Sequence, residues 1–223
     1  MKILLCTPVY NGGNTLFTLY ESVLNSSRNL SVKVLWTIVN ANSTDNTTEL
    51  AEKFIIGNPL DNLSIVHIRE DDNGMYDAIR KVFDRYVAKC DWMGWINCDD
   101  YLAPNCFHDL KAVAKISGIN FVVGCRSVKL ESGELITCSQ EISTTSVSCG
   151  LHDGFLGPHV QQEGIFFNSD LWNDLEHKDT FAACKLAGDW FLWMNLAKAA
   201  EIYENIRPMA VFCKHSGQLS ENI

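Results

Sequence analysis

An alternation of strand and helix patterns over the first half of the chain constrains the fold more than any other feature of the sequence. Short apolar or β-branched runs are separated by segments whose apolar residues recur at spacings of three and four. The strands are predicted at residues 3–6, 32–39, 63–68 and 92–96, and the helices at residues 14–25, 47–54, 75–87 and 104–115. This order predicts an α/β fold in which helices flank a mostly parallel sheet.

Each of the four predicted strands runs into a polar segment. These segments are residues 7–13, 40–45, 70–77 and 97–100. Parallel sheets bind ligands just outside the carboxyl ends of their strands, where the following loops lie side by side. Four consecutive polar strand ends therefore predict one binding site shared by four loops.

The second half of the chain is patterned less regularly. It contains predicted strands at residues 121–124, 164–168 and 206–212, a hairpin of residues 128–130 and 134–136, and a helix at residues 189–199. Residues 139–158 are polar and without periodicity, and a loop of that length is commonly functional or mobile. At 223 residues the chain is predicted to form a single domain, with a small mixed region on its C-terminal side.

The balance of charged residues restricts the partners. Lys and Arg number 18 against 27 Asp and Glu, a formal net charge of −9, whereas proteins that coat nucleic acid are basic. We therefore expect no nucleic-acid partner. An anionic ligand would need a local cation or a bound metal to offset the acidic field.

Cysteine usage and missing motifs exclude further classes. The nine cysteines include no C-x-x-C pair, which disfavours a disulfide framework or a zinc site and fits a reducing compartment. The apolar start is too short for a signal peptide, and no apolar run approaches the roughly 20 residues of a membrane span. We expect a cytoplasmic protein, at most peripheral at the inner face of the membrane. The sequence also has no P-loop, G-x-G-x-x-G or G-x-S-x-G motif, which disfavours an ATPase, a dehydrogenase and an esterase.

The most informative motif is Asp99 and Asp100, the acidic pair at the end of the fourth strand. Mg²⁺ and Mn²⁺ prefer oxygen ligands and often take only one or two from protein, the rest coming from phosphate and water. The alternative is an acidic start to the next helix, whose dipole favours carboxylates. An isolated pair favours that alternative, but the position at the fourth polar strand end favours a metal–diphosphate site.

Two other acidic segments have the same two interpretations. Asp72, Gly74 and Asp77 precede or open a helix, where glycine permits a tight turn and carboxylates suit the helix dipole. Taken alone, that structural interpretation is favoured. Asp189 begins another helix and is either its cap or a general base facing the cleft.

In their order along the chain, these segments resemble the motifs of the family 2 glycosyltransferases, whose fold is called GT-A. Residues 7–11 are similar to that family's opening motif, 40–47 to its Asp-x-x-Ser-x-Asp-x-Thr segment, 70–78 to its E-x-D-x-G-x-Y-D-A segment and 97–100 to its metal and sugar-nucleotide motif. Residues 161–167, 187–189 and 215–220 resemble later motifs of a bacterial polysaccharide-type subset. The resemblance covers residues 2–220.

The resemblance implies a role for each matching position. The nucleotide sugar would be bound by Pro8, Tyr10, Asn11, Asn40, Asn42, Asp45, Asp72, Gly74, Asp77 and Asp99. Asp100, together with Asp99, would bind the Mg²⁺ or Mn²⁺ that bridges the diphosphate, and Asp189 would be the catalytic base. The acceptor side would comprise Gln162, Glu163, Trp193 and His215. Residues 1–115 would form the nucleotide-sugar-binding half of one GT-A domain, and residues 116–223 the acceptor-side half.

The implied activity is that of an inverting, metal-dependent glycosyltransferase. It would move a sugar from a nucleoside diphosphate donor, expected to be a UDP-sugar, to a hydroxyl of a glycan or lipid-linked acceptor in polysaccharide biosynthesis. One departure concerns the base: the family usually has Asp where this chain has Asn40, and an amide offers donors as well as an acceptor. The alternatives are a non-catalytic sugar-nucleotide-binding protein and a sugar nucleotidyltransferase. The latter would require a basic residue near Gly12 and Gly13, where the sequence has none.

Overall fold

The computed structural model describes residues 1–216 and residue 218, so residues 217, 219 and 220 of the 215–220 motif lie outside the described residues. The strands are β1 Lys2–Val9, β2 Lys33–Asn40, β3 Leu63–Arg69, β4 Trp92–Trp95, β5 Tyr101–Leu102, β6 Phe121–Gly124, β7 Arg126–Lys129, β8 Leu135–Cys138, β9 Ile165–Asn168, β10 Ile202–Asn205 and β11 Ala210–Cys213. The helices are α1 Leu16–Ser27, α2 Thr47–Gly57, α3 Met75–Tyr86, α4 Cys106–Val113, α5 Thr144–Ser148, α6 Ser169–Asn173, α7 Lys178–Ala183 and α8 Gly188–Ala199.

The larger sheet has seven strands in the order β10-β6-β9-β4-β1-β2-β3. β1 pairs in parallel with β2 over the full length of both, from Lys2 opposite Lys33 to Val9 opposite Asn40. β3 extends the parallel set beyond β2, and β4 extends it on the other side of β1. The carboxyl ends of the four predicted strands therefore meet at one edge of the sheet, as the sequence predicts.

The predicted α/β fold with a mostly parallel sheet is confirmed, with one strand reversed. β9 runs antiparallel to both of its neighbours, β4 and β6, while β10 is parallel to β6. A second, mixed sheet has the order β5-β11-β7-β8. It contains the predicted hairpin, in which Lys129 pairs with Leu135.

The prediction of one strand at residues 206–212 is wrong. β10 ends at Asn205, before this range begins, and β11 starts only at Ala210, so residues 206–209 connect two strands that belong to different sheets. Pro208 lies between them and lacks the N–H that a sheet ladder requires, and Ile206 is 91% exposed. The bend is held by Asn205 and Arg207, which both donate to the carboxylate of Asp109.

The sequence also failed to predict three short helices. α5 lies inside the segment predicted to be a loop without secondary structure, and it begins with a reciprocal capping box between Ser143 and Ser146. α6 is capped by Asn168, whose Oδ1 accepts from the Asp170 N–H at 2.9 Å. Helices of five or six residues are too short to give a periodic signal. Among the helices described for residues 1–216, none combines the length and the apolar character needed to cross a bilayer.

Apolar side chains cover both faces of the larger sheet. Along β1, Ile3 and Leu5 pack on one face while Leu4 and Cys6 pack on the other, as expected for a strand buried on both sides. The first face packs against α1, α2 and α4, and the second packs against α3 and α8. α3 and α8 therefore share one face of the sheet.

Gly94 in β4 permits a close approach of β9. A Cβ at this position would lie 2.4 Å from the carbonyl oxygen of Ile165 and 2.9 Å from Cδ1 of Phe166. We expect Gly94→Ala to lower the free energy of unfolding by about 1–3 kcal/mol, as overpacked cores do, because the neighbouring backbone has to move. Urea unfolding measures the change.

The matched control for this prediction is Gly57→Ala at the end of α2, where a Cβ would meet nothing within 4 Å. That variant is expected to be neutral or slightly more stable, because alanine restricts the unfolded chain. Equal unfolding midpoints for the two variants would contradict the close packing of β4 on β9.

Candidate active site

The loops that follow β1 and β2 are hydrogen-bonded to each other. The Asn11 N–H donates to Ser43 Oγ at 2.8 Å, and Asn11 Oδ1 accepts from the Thr44 N–H at 2.8 Å. The Gly13 N–H donates to Asp45 Oδ2 at 2.9 Å. Two of the predicted donor-binding residues, Asn11 and Asp45, therefore hold these two loops together.

Asn40 ends β2 and is fully buried. Its Oδ1 accepts from the Ser43 N–H at 2.8 Å, its Nδ2 donates to Thr48 Oγ1 at 3.0 Å, and Nδ2 lies 3.3 Å from His67 Nε2. Burial lowers the pKa of His67, so its ring is neutral at pH 7 and Nε2 is able to accept. Asn40 thus supports the loop after β2, and its predicted contact with the nucleotide base stays a prediction.

The loop after β3 is joined to the loop after β2. Asn42 Nδ2 donates to Asp71 Oδ1 at 2.5 Å. Asp72 Oδ1 accepts from the Gly74 N–H at 2.8 Å, and Asp77 Oδ2 accepts from the N–H four residues earlier at 3.0 Å. Gly74 has φ 124°, which residues with a side chain rarely adopt. These contacts shape the turn into α3, which is the structural role that the residues, taken alone, favoured for Gly74 and Asp77.

Pro8 and Tyr10 lie at the carboxyl end of β1. Pro8 is part of the strand and partly buried, whereas Tyr10 follows the strand and is 63% exposed. The ring of Tyr10 is therefore open to contact with a planar ligand such as a nucleotide base.

Asp100 is the buried member of the acidic pair that follows β4. Its Oδ1 accepts from the Cys213 N–H of β11 at 2.7 Å, and its Oδ2 receives no hydrogen bond from an N–H or hydroxyl group of the described residues. The carboxyl group of Glu163 is close enough to share a proton with Asp100. Burial, followed by the negative charges of Glu163 and Asp99, raises the pKa of Asp100. A buried carboxylate oxygen without a partner is costly unless a ligand or ion completes its contacts.

His215 lies against the other member of the acidic pair. Its Nε2 is 3.0 Å from Asp99 Oδ2, and its Nδ1 is 3.0 Å from the carbonyl oxygen of Ser216. Both neighbours are hydrogen-bond acceptors, and these bonds raise the pKa of His215. The sequence predicted His215 on the acceptor side, whereas the structure places it beside the residues predicted to bind the donor.

Glu163 is buried between the acidic pair and Asp189. Asn97 Nδ2 donates to Glu163 Oε1 at 3.4 Å. Burial raises the pKa of Glu163 to about 7, and the charges of Asp189 and Asp99 act in the same direction. Gln162, also buried, donates to a backbone carbonyl oxygen of β4 at 2.8 Å. Of the predicted acceptor-side residues, Glu163 thus lies near both ends of the site, whereas Gln162 is bonded to the backbone of β4.

Asp189 lies in the first turn of α8 and is partly buried. Its Oδ1 accepts from the Tyr76 hydroxyl at 3.2 Å. Burial raises the pKa of Asp189, which makes the carboxylate a better proton acceptor near neutral pH. A narrow, mainly apolar slot beside it is lined by Val147, His152, His159, Val160, Trp190 and Trp193.

The chemistry of the acidic pair suits a divalent cation. Oδ2 of Asp100 receives no N–H or hydroxyl hydrogen bond from the described residues, and a cation would relieve the repulsion among Asp99, Asp100 and Glu163. Within residues 1–216 and 218, no three His, Cys, Asp or Glu side chains are grouped as a complete metal site. The residues present therefore fit a Mg²⁺ or Mn²⁺ ion that takes one or two oxygens from the protein and the rest from phosphate and water.

Several residues at the site received no role from the sequence. Tyr76 and Asn97 stand within segments that resemble family motifs, so their neighbours carried a usable signal. His152 lies in the polar segment 139–158, where no periodicity or motif distinguished it. His159 follows that segment, and its glycine-containing surroundings made it of interest, but the default interpretation was a surface or satisfied histidine. Their proximity to Asp189 is visible only in the structure.

Comparison with known proteins decides the family. The family model "Glycosyl transferase family 2" matches residues 5–186. The chain belongs to this family. The match includes the loops after β1 to β4 and Glu163, and it ends before Asp189 and His215. The resemblance to the family 2 glycosyltransferases is therefore confirmed, and the family is one of glycosyltransferase enzymes.

Solved structures similar to this family 2 domain have the GT-A fold. Staphylococcus aureus TarS 1–349 in complex with UDP-GlcNAc superposes with a TM-score of 0.72 at 16% identity, over 100% of this chain and 61% of TarS. The same protein in complex with UDP gives a TM-score of 0.70 at 15% identity, over 96% of this chain and 61% of that one.

A second similar protein is the mannosyltransferase PcManGT from Pyrobaculum calidifontis, in complex with GDP-Man and Mn²⁺. It gives a TM-score of 0.62 at 12% identity, over 97% of this chain and 57% of that one. The family 2 domain described here thus spans about three fifths of the length of these structures. None of the curated proteins compared with the chain matches it.

Proposed function

We propose that this family 2 domain is an inverting glycosyltransferase that depends on Mg²⁺ or Mn²⁺. The donor is a nucleoside diphosphate sugar, with UDP as the expected nucleotide, and the acceptor is a hydroxyl of a glycan or lipid-linked saccharide in polysaccharide synthesis. The observation that carries the proposal is the arrangement of carboxylates, with the acidic pair at one end, Asp189 at the other and buried Glu163 between them.

In the proposed reaction, the acceptor hydroxyl attacks the anomeric carbon of the donor from the face opposite the diphosphate. A new C–O bond forms, the bond from the anomeric carbon to the diphosphate oxygen breaks, and its electron pair stays on the diphosphate. The hydroxyl proton passes to Asp189, which is ionised above its raised pKa. Attack from the opposite face inverts the anomeric configuration.

The two halves of the chain divide this work in the proposal. Residues 1–115 hold the donor, with the exposed ring of Tyr10 against the base and Asp99 at the ribose or the donor sugar. Residues 116–223 supply Asp189 and the acceptor side. A cation bound at Asp100 would stabilise the negative charge of the leaving diphosphate. Such a cation would also allow an anionic donor to enter the acidic cleft.

Support for this donor class comes from the similar structures, which contain UDP, UDP-GlcNAc or GDP-Man. The test is thermal unfolding with UDP, GDP and dTDP, each with Mn²⁺ and with EDTA. A ligand that binds only the folded chain stabilises it by about 2.7 kcal/mol when the ligand concentration is 100 times its Kd. We expect UDP with Mn²⁺ to raise the Tm and EDTA to cancel the increase. If no nucleotide raises the Tm in Mn²⁺, the donor assignment is wrong.

The two alternatives make different predictions. A non-catalytic sugar-nucleotide-binding protein would show the same thermal shift but would never consume the donor. A sugar nucleotidyltransferase would need a basic side chain, Arg or Lys, in the glycine-containing loop after β1, where the sequence has none. That loop instead bonds to Ser43, Thr44 and Asp45, and the family assignment also favours sugar transfer.

Replacement of Asn40 by aspartate tests the predicted contact with the base. An aspartate keeps the acceptor for the Ser43 N–H and, unlike the amide, offers a second oxygen that only accepts. The imide N–H of uracil needs such an acceptor. We expect Asn40→Asp to raise the ratio of UDP to GDP affinity by roughly three- to tenfold, the value of one modest hydrogen bond.

Calorimetric titration of both nucleotides in Mn²⁺ measures this ratio. The control is Asn25→Asp on the exposed side of α1, which makes the same charge change away from the strand ends. An unchanged ratio in Asn40→Asp would show that position 40 only supports its loop.

A further inference from the structure

Two segments far apart in the sequence meet at Asp189. The Tyr76 hydroxyl, from the first turn of α3, donates to Asp189 Oδ1 across a separation of 113 residues. The Tyr76 side chain is 5% exposed, and its ring packs against the ring of Phe181 with centroids 5.3 Å apart. Packing explains why the ring is buried. It does not explain why the residue carries a hydroxyl group, which donates its hydrogen bond to the carboxylate of Asp189.

Gly188 allows this contact. A Cβ at position 188 would lie 2.7 Å from Cδ2 and 2.8 Å from Cγ of Tyr76. The residue before it, Ala187, has φ 55°, so the chain enters α8 through a left-handed turn. The ring of Tyr76 therefore rests directly on the backbone at the start of α8, with its hydroxyl aimed at the next side chain.

We infer that Tyr76 is a positioning residue for Asp189: its hydroxyl holds Oδ1 so that Oδ2 is left to take the acceptor proton, and Gly188 makes room for the ring. The inference rests on the proposed function, since it gives Asp189 the role of base. It adds a residue that neither the sequence motifs nor the family assignment gave a role.

The hydrogen bond remains in place over the working pH range. Burial, together with the charge of Asp189, raises the pKa of Tyr76 well above its ordinary value, so the hydroxyl stays a donor. Tyr76 is thus unable to serve as the base itself near neutral pH. A bond from a neutral hydroxyl favours the ionised form of the carboxylate that accepts it.

Four side chains from different parts of the chain face Asp189. Tyr76 lies on α3, Glu163 precedes β9, His159 follows α5 in the chain, and Cys184 lies between α7 and α8. The hydrogen bond from Tyr76 lowers the pKa of Asp189, opposing the larger effect of burial. Loss of the hydroxyl should therefore raise the pKa of Asp189 further. Because the base acts only when ionised, the acid limb of the pH–rate profile should move to higher pH.

The test replaces Tyr76 by phenylalanine, which keeps the ring against Gly188 and Phe181. We expect kcat at pH 7 to fall on the order of tenfold, the value of one hydrogen bond to a charged group. The acid limb should shift upward, and the donor Kd should stay within about twofold of the parent value. The control is Tyr86→Phe, which removes a hydroxyl from the last residue of the same helix.

A double variant separates positioning from a general structural effect. In the Asp189→Asn background, Tyr76→Phe should cause no further loss, because the carboxylate that it positions is already gone. A structural role would give the same loss in both backgrounds. Gly188→Ala is the second probe, since it displaces the ring without removing the hydroxyl, and it should reproduce the kcat loss.

The outcomes distinguish failure of this inference from failure of the proposed function. If the kcat of Asp189→Asn is within a few-fold of the parent value, the assignment of Asp189 as base is wrong, and so is the positioning role of Tyr76. If Asp189→Asn is inactive while Tyr76→Phe keeps the kcat of the parent and the acid limb of its pH–rate profile, the assignment of Asp189 as base is supported and the positioning role of Tyr76 is refuted. Additive losses in the double variant refute it as well.

Discussion

Asp189→Asn is expected to lower kcat by a factor on the order of 10²–10⁴, the range that general base catalysis contributes. The amide has nearly the same shape as the carboxylate and still accepts from the Tyr76 hydroxyl, but it does not take up a proton. Donor affinity should be unchanged, because the residues predicted to bind the donor lie on other loops. The measurements are kcat at saturating donor and acceptor, and donor Kd by titration.

The structural interpretation of Asp189 as a helix cap predicts a different result. Asparagine is itself a good cap, so a capping role would leave activity nearly intact. Asp61→Asn is the matched control, since Asp61 is exposed in the connection between α2 and β3, at the amino end of the strands. Turnover of Asp189→Asn within a few-fold of the Asp61→Asn rate would place the base elsewhere, with Glu163 the next residue to test.

Asp100→Asn is expected to weaken Mn²⁺-dependent UDP binding by about 100-fold or more, since changes behind a metal ligand already cost 10–100-fold. The asparagine keeps the acceptor for the Cys213 N–H but loses the charge that a cation requires. In the absence of metal, the variant should be at least as stable as the parent. The reason is that the parent buries a carboxylate next to Glu163 and Asp99.

Calorimetric titration of Asp100→Asn with UDP, in Mn²⁺ and in EDTA, distinguishes a role in metal binding from a role in anchoring β11. The parent should lose its UDP affinity in EDTA, and the variant should bind weakly under both conditions. If Asp100 only anchors β11 through Cys213, the variant would bind UDP in Mn²⁺ as tightly as the parent. That result would remove Asp100 from the proposed metal site.

The strand ends were predictable because their pattern is local. Each of β1 to β4 is an apolar run that ends in a polar segment, and parallel pairing then brings those segments to one edge. The acidic pair was found in this way, and the structure places it on the turn after β4. The buried state of Asp100 and its bond to β11 depend on a strand more than 100 residues later, and no local pattern contains them.

The remaining features depend on contacts between distant segments. The short helices α6 and α7 contain too few residues for a periodic pattern, and the break between β10 and β11 depends on Asp109 on α4. The roles of Tyr76 and Asn40 were similarly hidden, because their side chains bond to residues that the sequence alone does not place beside them. A motif indicates which residues meet at the cleft, and the structure shows which of them are already engaged with each other.

The anomeric configuration of the released sugar tests the central claim most directly. Water can replace the unidentified acceptor, so slow hydrolysis of an α-linked UDP-sugar, such as UDP-GlcNAc, by the chain in Mn²⁺ needs no knowledge of the natural substrate. Proton NMR recorded before mutarotation identifies the first anomer. Attack from the face opposite the diphosphate, with Asp189 as base, predicts the β-anomer first and its loss in Asp189→Asn. The α-anomer as the first product would contradict the account.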